Sequence, residues 1–326
     1  MSLKNTKTKI ASAFAAVTMA ISLPVSSIAH DLQPASMPNS TSEVTANSIN
    51  EHGQSVLIAW TVAQPTAILI AVHGFGLHKG AYKQFAEQMQ QDRVSTYALD
   101  VRGFGGWMQP GKNSAVSFGK TMQDLRTLVR SIREEHPTTP IFVLGESMGG
   151  AIALSFAAAD PNMIDGVISA VPSYERFHPL RTAARIAVSY ILGGGGKISL
   201  NNVMVDRATK DKQVRTTWES DSQAKLRVSL RDLLRFNSFM KASSNTSREI
   251  KRLPVLIVQG HKDELVKPAG TEKLYDELTT KDKQMLERAN GEHLTFEEGQ
   301  FDQSTLTTVQ RWLTQHEQPA VIASNL

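Results

Sequence analysis

Cysteine is absent from all 326 residues. No disulfide is available to the fold, and no thiol follows the N-terminal leader to carry a lipid. Excess charge is also scarce. The formal balance is +4, but Lys4, Lys7 and Lys9 lie within the first ten residues and no acidic residue precedes Asp31. The rest of the chain carries 32 basic against 31 acidic residues, so the basic character belongs to the leader. Such a near-neutral balance gives no reason to expect nucleic acid as a partner. The apolar stretch over 10–23 has 14 residues, short of the roughly 20 that a spanning helix needs.

What is present at the N-terminus is an export pattern. Three lysines precede that stretch, and Ser27-Ile28-Ala29 offers a small-x-small cleavage site before His30. Residues 1–29 are therefore expected to be a signal peptide, with a retained anchor as the alternative. The expected destination is the periplasm or the exterior of a bacterium. Residues 30–50, rich in Ser, Thr, Asn and Pro, read as a flexible linker. Hydrophobic residues make up 41% of the chain, enough for a sizeable core.

From residue 51 onward, apolar runs of strand length alternate with helical segments. Strands are expected over 56–62, 66–72, 94–99, 141–144 and 164–170, and helices over 81–91, 116–135 and 148–159. Between 173 and 248 the rhythm breaks. Two helical stretches, 179–192 and 222–241, flank the glycine run 193–196 and a charged, polar segment. The rhythm returns with a strand at 254–259, a helix at 269–278, a strand near 284–288 and a helix at 303–316. This alternation predicts an α/β fold, a mostly parallel sheet with helices on both faces. The expected division is a core over 51–172 and 249–318, a helical insertion over 173–248, and a tail over 319–326. The apolar residues of the inserted helices suit an acyl pocket or transient contact with a lipid surface, but packing onto the core explains them more simply.

The chemistry concentrates at strand ends. Gly145-Glu146-Ser147-Met148-Gly149-Gly150 joins the strand at 141–144 to the helix at 148–159. G-x-S-x-G in that setting is a nucleophile elbow, with Ser147 on a sharp turn and the helix N-terminus behind it. His73-Gly74-Phe75-Gly76 follows the second strand, where an oxyanion loop belongs, so the backbone N–H groups of Phe75 and Met148 are the expected donors. Among nine histidines, His293 alone follows the last strand and precedes the last helix, the place of the base in the order Ser…Asp/Glu…His. The acid is expected after 254–259. Asp263 is favoured there and Glu264 is its rival. No metal site, nucleotide loop or other cofactor motif is visible.

The set H-G-F-G, D-V-R-G-F-G, G-E-S-M-G-G, G-x-x-D-x-x-V and G-E-H resembles the monoacylglycerol lipase, lysophospholipase and serine aminopeptidase branch of the α/β-hydrolases, over roughly residues 56–313. That resemblance implies a helical cap between the sixth and seventh strands and a triad of Ser147, Asp263 and His293. It implies a serine hydrolase of carboxylic esters, acting through an acyl-enzyme on monoacylglycerols, lysophospholipids or similar short- to medium-chain esters. Peptidase, thioesterase or acyltransferase chemistry would use the same triad. A silent, ligand-binding member of the fold is the alternative of another class. One departure stands out: Gly105-Gly106-Trp107 replaces the small polar residue usual after the D-x-R-G-x-G turn.

Overall fold

The computed structural model describes residues 50–51, 53–109, 114–172, 175–177, 197–200 and 204–317. The expected leader, nearly all of the linker, the helix at 179–192, the glycine run and the C-terminal tail lie outside these residues.

A seven-stranded sheet forms the centre: β1 (Leu57–Trp60), β2 (Ala67–Val72), β3 (Val94–Leu99), β4 (Ile141–Glu146), β5 (Gly166–Ala170), and further along the chain β8 (Val255–Gly260) and β9 (Lys283–Arg288). Its order is β1-β3-β2-β4-β5-β8-β9. Only β1 runs antiparallel to its neighbour; every other pairing is parallel. β2, β3, β4, β5 and β8 are buried at every position, as strands covered on both faces must be. Helices α1 (Lys83–Gln91), α2 (Phe118–Glu135) and α3 (Met148–Ala159) return the chain between the early strands. The apolar stripe of α2, from Met122 through Leu125, Leu128 and Val129 to Ile132, packs into one core layer together with α3. Phe85, Phe142, Phe296 and Trp312 help fill the other layer.

β5 and β8 are neighbours in the sheet, yet the long irregular segment separates them in sequence. They are the fifth and sixth strands of the described sheet in chain order, one lower than the count implied by the family resemblance. Within the segment lie a two-stranded sheet, β6 (Ile198–Ser199) with β7 (Arg227–Val228), helix α4 (Lys212–Ser220) and helix α5 (Leu230–Thr246). The structure corrects the helix expected over 222–241. It begins eight residues later because Ser229 caps it, accepting from the Asp232 N–H at 3.1 Å, while residues 227–228 pair as a strand. The charged segment before it, read as irregular, forms α4, capped by Asp211 through the N–H groups of Gln213 and Val214. Helix α5 lies on α3, where the Ser243 hydroxyl donates to the Ala151 carbonyl at 2.8 Å. Leu233, Phe236, Phe239 and Met240 face the core. Among the described residues only Leu234 remains as an exposed large apolar side chain. Helices α6 (Pro268–Glu277) and α7 (Gln303–Gln315) complete the described chain.

Candidate active site

Parallel strands put their C-terminal ends on one edge, and the chemistry-bearing residues collect there. Ser147 follows β4 and caps α3 with φ 55° and ψ −110°, a backbone conformation that L-residues rarely adopt. Strain of this kind costs on the order of 1–3 kcal/mol and survives only where the surroundings enforce it. Here they do. The Ser147 N–H donates to the Ala170 carbonyl at 2.9 Å, and its own carbonyl receives the Ala151 N–H at 3.0 Å. A Cβ on Gly145 would sit 2.1 Å from the Gly149 carbonyl oxygen, and one on Gly149 would sit 1.8 Å from the Val72 carbonyl oxygen. The glycines flanking the serine are therefore steric necessities. Met148 supplies the first N–H of α3, which has no intrahelical acceptor, and the Phe75 N–H makes no hydrogen bond to any described residue.

Asp263 and His293 follow β8 and β9. The His293 Nδ1 and Asp263 Oδ2 lie 2.8 Å apart, with both side chains buried. Asp263 Oδ1 accepts from the N–H groups of Leu265 and Val266 at 2.7 and 2.9 Å, which fixes the carboxylate's orientation. Burial alone would lower the His293 pKa, but the charge and hydrogen bond of Asp263 outweigh it and hold the imidazole above its ordinary 6.5. The rival Glu264 is exposed and pairs with Lys210 at 2.7 Å.

Sequence reasoning missed the residues that join these loops. The Glu146 carboxylate, fully buried, accepts from the N–H groups of Thr295 and Phe296 at 2.9 and 2.7 Å. Glu297 lies beside it and accepts from the Gly74 N–H at 2.8 Å. Two acidic side chains thus fasten the elbow, the His293 loop and the H-G-F-G loop to one another. Burial raises both pKa values, and the neighbouring Glu146 charge pushes Glu297 well above the usual carboxylate range. The signal in the sequence was a glutamate ending an otherwise apolar strand.

His73 organises its loop. Burial lowers its pKa to about 4, so it is neutral. Its Nε2 accepts from the Val101 N–H at 3.0 Å, which leaves Nδ1 to donate to the Gly74 carbonyl at 2.7 Å. The D-V-R-G-F-G loop is structural. Asp100 binds Lys79 Nζ at 2.9 Å in a buried ion pair, and Lys79 reaches Gln223 on the far side at 3.1 Å. Trp107, the departure from the family pattern, stacks under the Arg102 guanidinium at 3.5 Å and donates its indole N–H to the Asp100 carbonyl at 3.1 Å. Arg102 in turn forks onto Asp124 at 2.6 and 2.7 Å. A second buried pair, Lys225 with Asp232 at 3.5 Å, lies within the inserted segment, which is held to the core as Lys225 donates to the carbonyls of Gly103 and Ser114 and Asp232 accepts from the Val116 N–H. These lone charges carry no motif, and only burial gives them meaning.

A mostly parallel sheet with a strained serine elbow after one strand and an Asp–His pair after two later ones defines an α/β-hydrolase. The family model described as serine aminopeptidase, S33, matches residues 63–300, and the chain belongs to that family. It is 28% identical over 266 residues to a monoacylglycerol lipase of Mycolicibacterium smegmatis, covering 79% of this chain and 91% of that one. To a monoglyceride lipase of Rattus norvegicus it is 27% identical over 261 residues, 77% and 83% of the two chains. Among solved structures, the monoacylglycerol lipase of Paleococcus ferrophilus superposes with a TM-score of 0.63 at 25% identity, over 80% of this chain and 99% of that one. The protein is a lipase- or esterase-like member of the carboxylic-ester hydrolases.

Proposed function

We propose that the enzyme hydrolyses monoacylglycerols and similar short- to medium-chain acyl esters, with Ser147 as nucleophile and His293 and Asp263 completing the triad. The observation that carries this reading is the buried Asp263–His293 contact on the strand-end edge that also bears the strained Ser147, with the His293 loop fastened to the elbow through Glu146. His293, oriented by Asp263, takes the Ser147 proton as Oγ attacks the acyl carbonyl. The N–H groups of Phe75 and Met148 receive the developing oxyanion. Collapse of the tetrahedral adduct breaks the C–O bond, and His293 returns its proton to the departing alcohol. Water then repeats the sequence on the acyl-enzyme and releases the acid. The acyl-ester substrate class is supported by the names of the relatives, among them a monoacylglycerol lipase and a monoglyceride lipase. Export through the leader is part of the same proposal; the mature chain isolated from a periplasmic extract should begin at His30.

The test compares the chain from His30 with its Ser147→Ala variant on p-nitrophenyl esters of rising chain length, on monoacylglycerol and on an aminoacyl amide. Loss of the nucleophile should lower ester turnover by on the order of 10⁶-fold. Turnover of the amide alone would move the assignment to a peptidase. Absence of Ser147-dependent turnover and of fluorophosphonate labelling would leave a binding protein on a hydrolase scaffold.

A further inference from the structure

One cation beside the proposed triad has no counter-charge among the described residues. Arg176 follows β5, and its backbone bridges to Val266, three residues beyond Asp263. Its guanidinium lies 4.6 Å from the centre of the Phe236 ring, and that ring stacks on Phe75 of the H-G-F-G loop at 4.3 Å. From the other side its charge reaches His293 and opposes the effect of Asp263 there. Arg176 therefore stands where the acid loop, the H-G-F-G loop and α5 converge, beside the proposed triad. Its Nη2 is closed off from solvent and has no hydrogen-bond partner among the described residues. Lys79, Lys225 and Arg288 differ in that each is within ion-pair distance of an aspartate, although Arg288 Nε also has no hydrogen-bond partner among the described residues. Burial lowers the Arg176 pKa to about 10, so the group is still charged at neutral pH. A protonated guanidinium with an unmatched, desolvated N–H is costly to keep in a resting protein, and a bound anion supplies what it lacks. The planar fork suits a phosphate or carboxylate, and the Phe236 face limits the directions in which it can turn.

We propose that Arg176 is a specificity residue that binds an anionic oxygen of the substrate, so that esters carrying a phosphate or carboxylate beyond the scissile bond are preferred over neutral ones. This inference rests on the ester-hydrolase reading above and deepens it: among the acyl esters the site turns over, neutral ones such as monoacylglycerol rank below matched anionic ones. The anion belongs either to the departing alcohol, as in an acylglycerol phosphate, or to the acyl group, as in a dicarboxylic half-ester. In both cases hydrolysis is unchanged: water adds across the acyl C–O bond, and the anionic group leaves the reaction as it entered.

The experiment measures kcat/KM of the wild-type chain, Arg176→Gln and Arg176→Lys on two matched pairs. One pair is 1-acylglycerol 3-phosphate against monoacylglycerol of the same chain; the other is p-nitrophenyl hemiglutarate against p-nitrophenyl valerate. The wild type should favour the anionic member of one pair, and that pair tells which side of the ester bears the anion. Arg176→Gln should lower the anionic-to-neutral ratio by roughly ten- to a hundredfold, mainly through KM, with Arg176→Lys between the two. A second readout needs no turnover: glycerol 3-phosphate or glutarate should raise the Tm of Ser147→Ala but not that of Ser147→Ala/Arg176→Gln. A ratio near one in the wild type, or equal loss on both members of a pair, would overturn the assignment. If no pair shows Ser147-dependent turnover, the ester-hydrolase reading fails, and the thermal shift then decides alone whether Arg176 binds anions.

Discussion

Substitution of Gly149 by alanine tests whether the elbow is held by steric fit. The added methyl would lie 1.8 Å from the Val72 carbonyl oxygen, 2.6 Å from its carbon and 2.9 Å from the His73 carbonyl oxygen. All three are backbone atoms at the end of β2, a strand buried at every position, so no side chain can rotate away. Reaching an ordinary contact near 3.4 Å requires α3 and β2 to part by about 1.5 Å, and overpacking of that kind costs roughly 3 kcal/mol. In a chain of 326 residues that is a fall in Tm of roughly 4–5 °C. The same displacement separates the Met148 N–H from Phe75, the two proposed oxyanion donors. Misplacement by an ångström costs on the order of 10²-fold in kcat. Gly119, near the start of α2, is the control, since a Cβ there meets nothing within 4 Å. Its alanine variant should be neutral or up to about 1 kcal/mol more stable. The assay pairs thermal unfolding with p-nitrophenyl butyrate turnover. A Gly149→Ala enzyme with wild-type Tm and kcat would refute the reasoning.

Asp263 raises the His293 pKa, and the base must be neutral to act, so kcat/KM should rise with pH through a midpoint above 6.5. Asp263→Asn should move that midpoint down and lower kcat by on the order of 10⁴-fold, as a pH–rate profile would show. The raised imidazole contributes stability that is fully present below pH 6.5 and lost as pH climbs through the folded-state value. Tm and activity should therefore respond to pH in opposite directions over that window. Lys225→Met leaves Asp232 buried without its cation and should cost roughly 3–5 kcal/mol by urea denaturation, whereas Lys225→Met/Asp232→Leu should recover much of it. Equal stability of the two variants would show that the cost comes from the lost Lys225 contacts to Gly103 and Ser114 and not from an unpaired Asp232.

Much of this was legible in the sequence because the core is regular. β3 and α3 occupy the expected spans, and the remaining core elements fall within a few residues of theirs. Asp263 was separable from Glu264 only by weight of pattern; the structure separates them by burial and contact. The inserted segment was read less well. Two-residue strands such as β6 and β7 are too short for periodicity, and the N-cap at Ser229 competed with an apolar pattern running from Ser222. Glu146, Glu297 and Arg176 escaped for a different reason. A side chain's charge is written in the sequence, but whether it keeps water or a partner is decided by residues far along the chain. Glu297 and Gly74 are 223 positions apart.

That separation has a consequence for the order in which the enzyme becomes competent. A ribosome delivers the serine long before it delivers the histidine loop. A nascent chain ending before residue 293 holds the elbow but neither the proposed base nor the backbone N–H groups that occupy Glu146. It also lacks Glu297, so nothing tethers the H-G-F-G loop through Gly74. With the proposed triad, a chain cut short before His293 has no base to activate Ser147, and the site is complete only when the final stretch of the chain docks. For a lipase- or esterase-like hydrolase, late closure of the site follows from chain order.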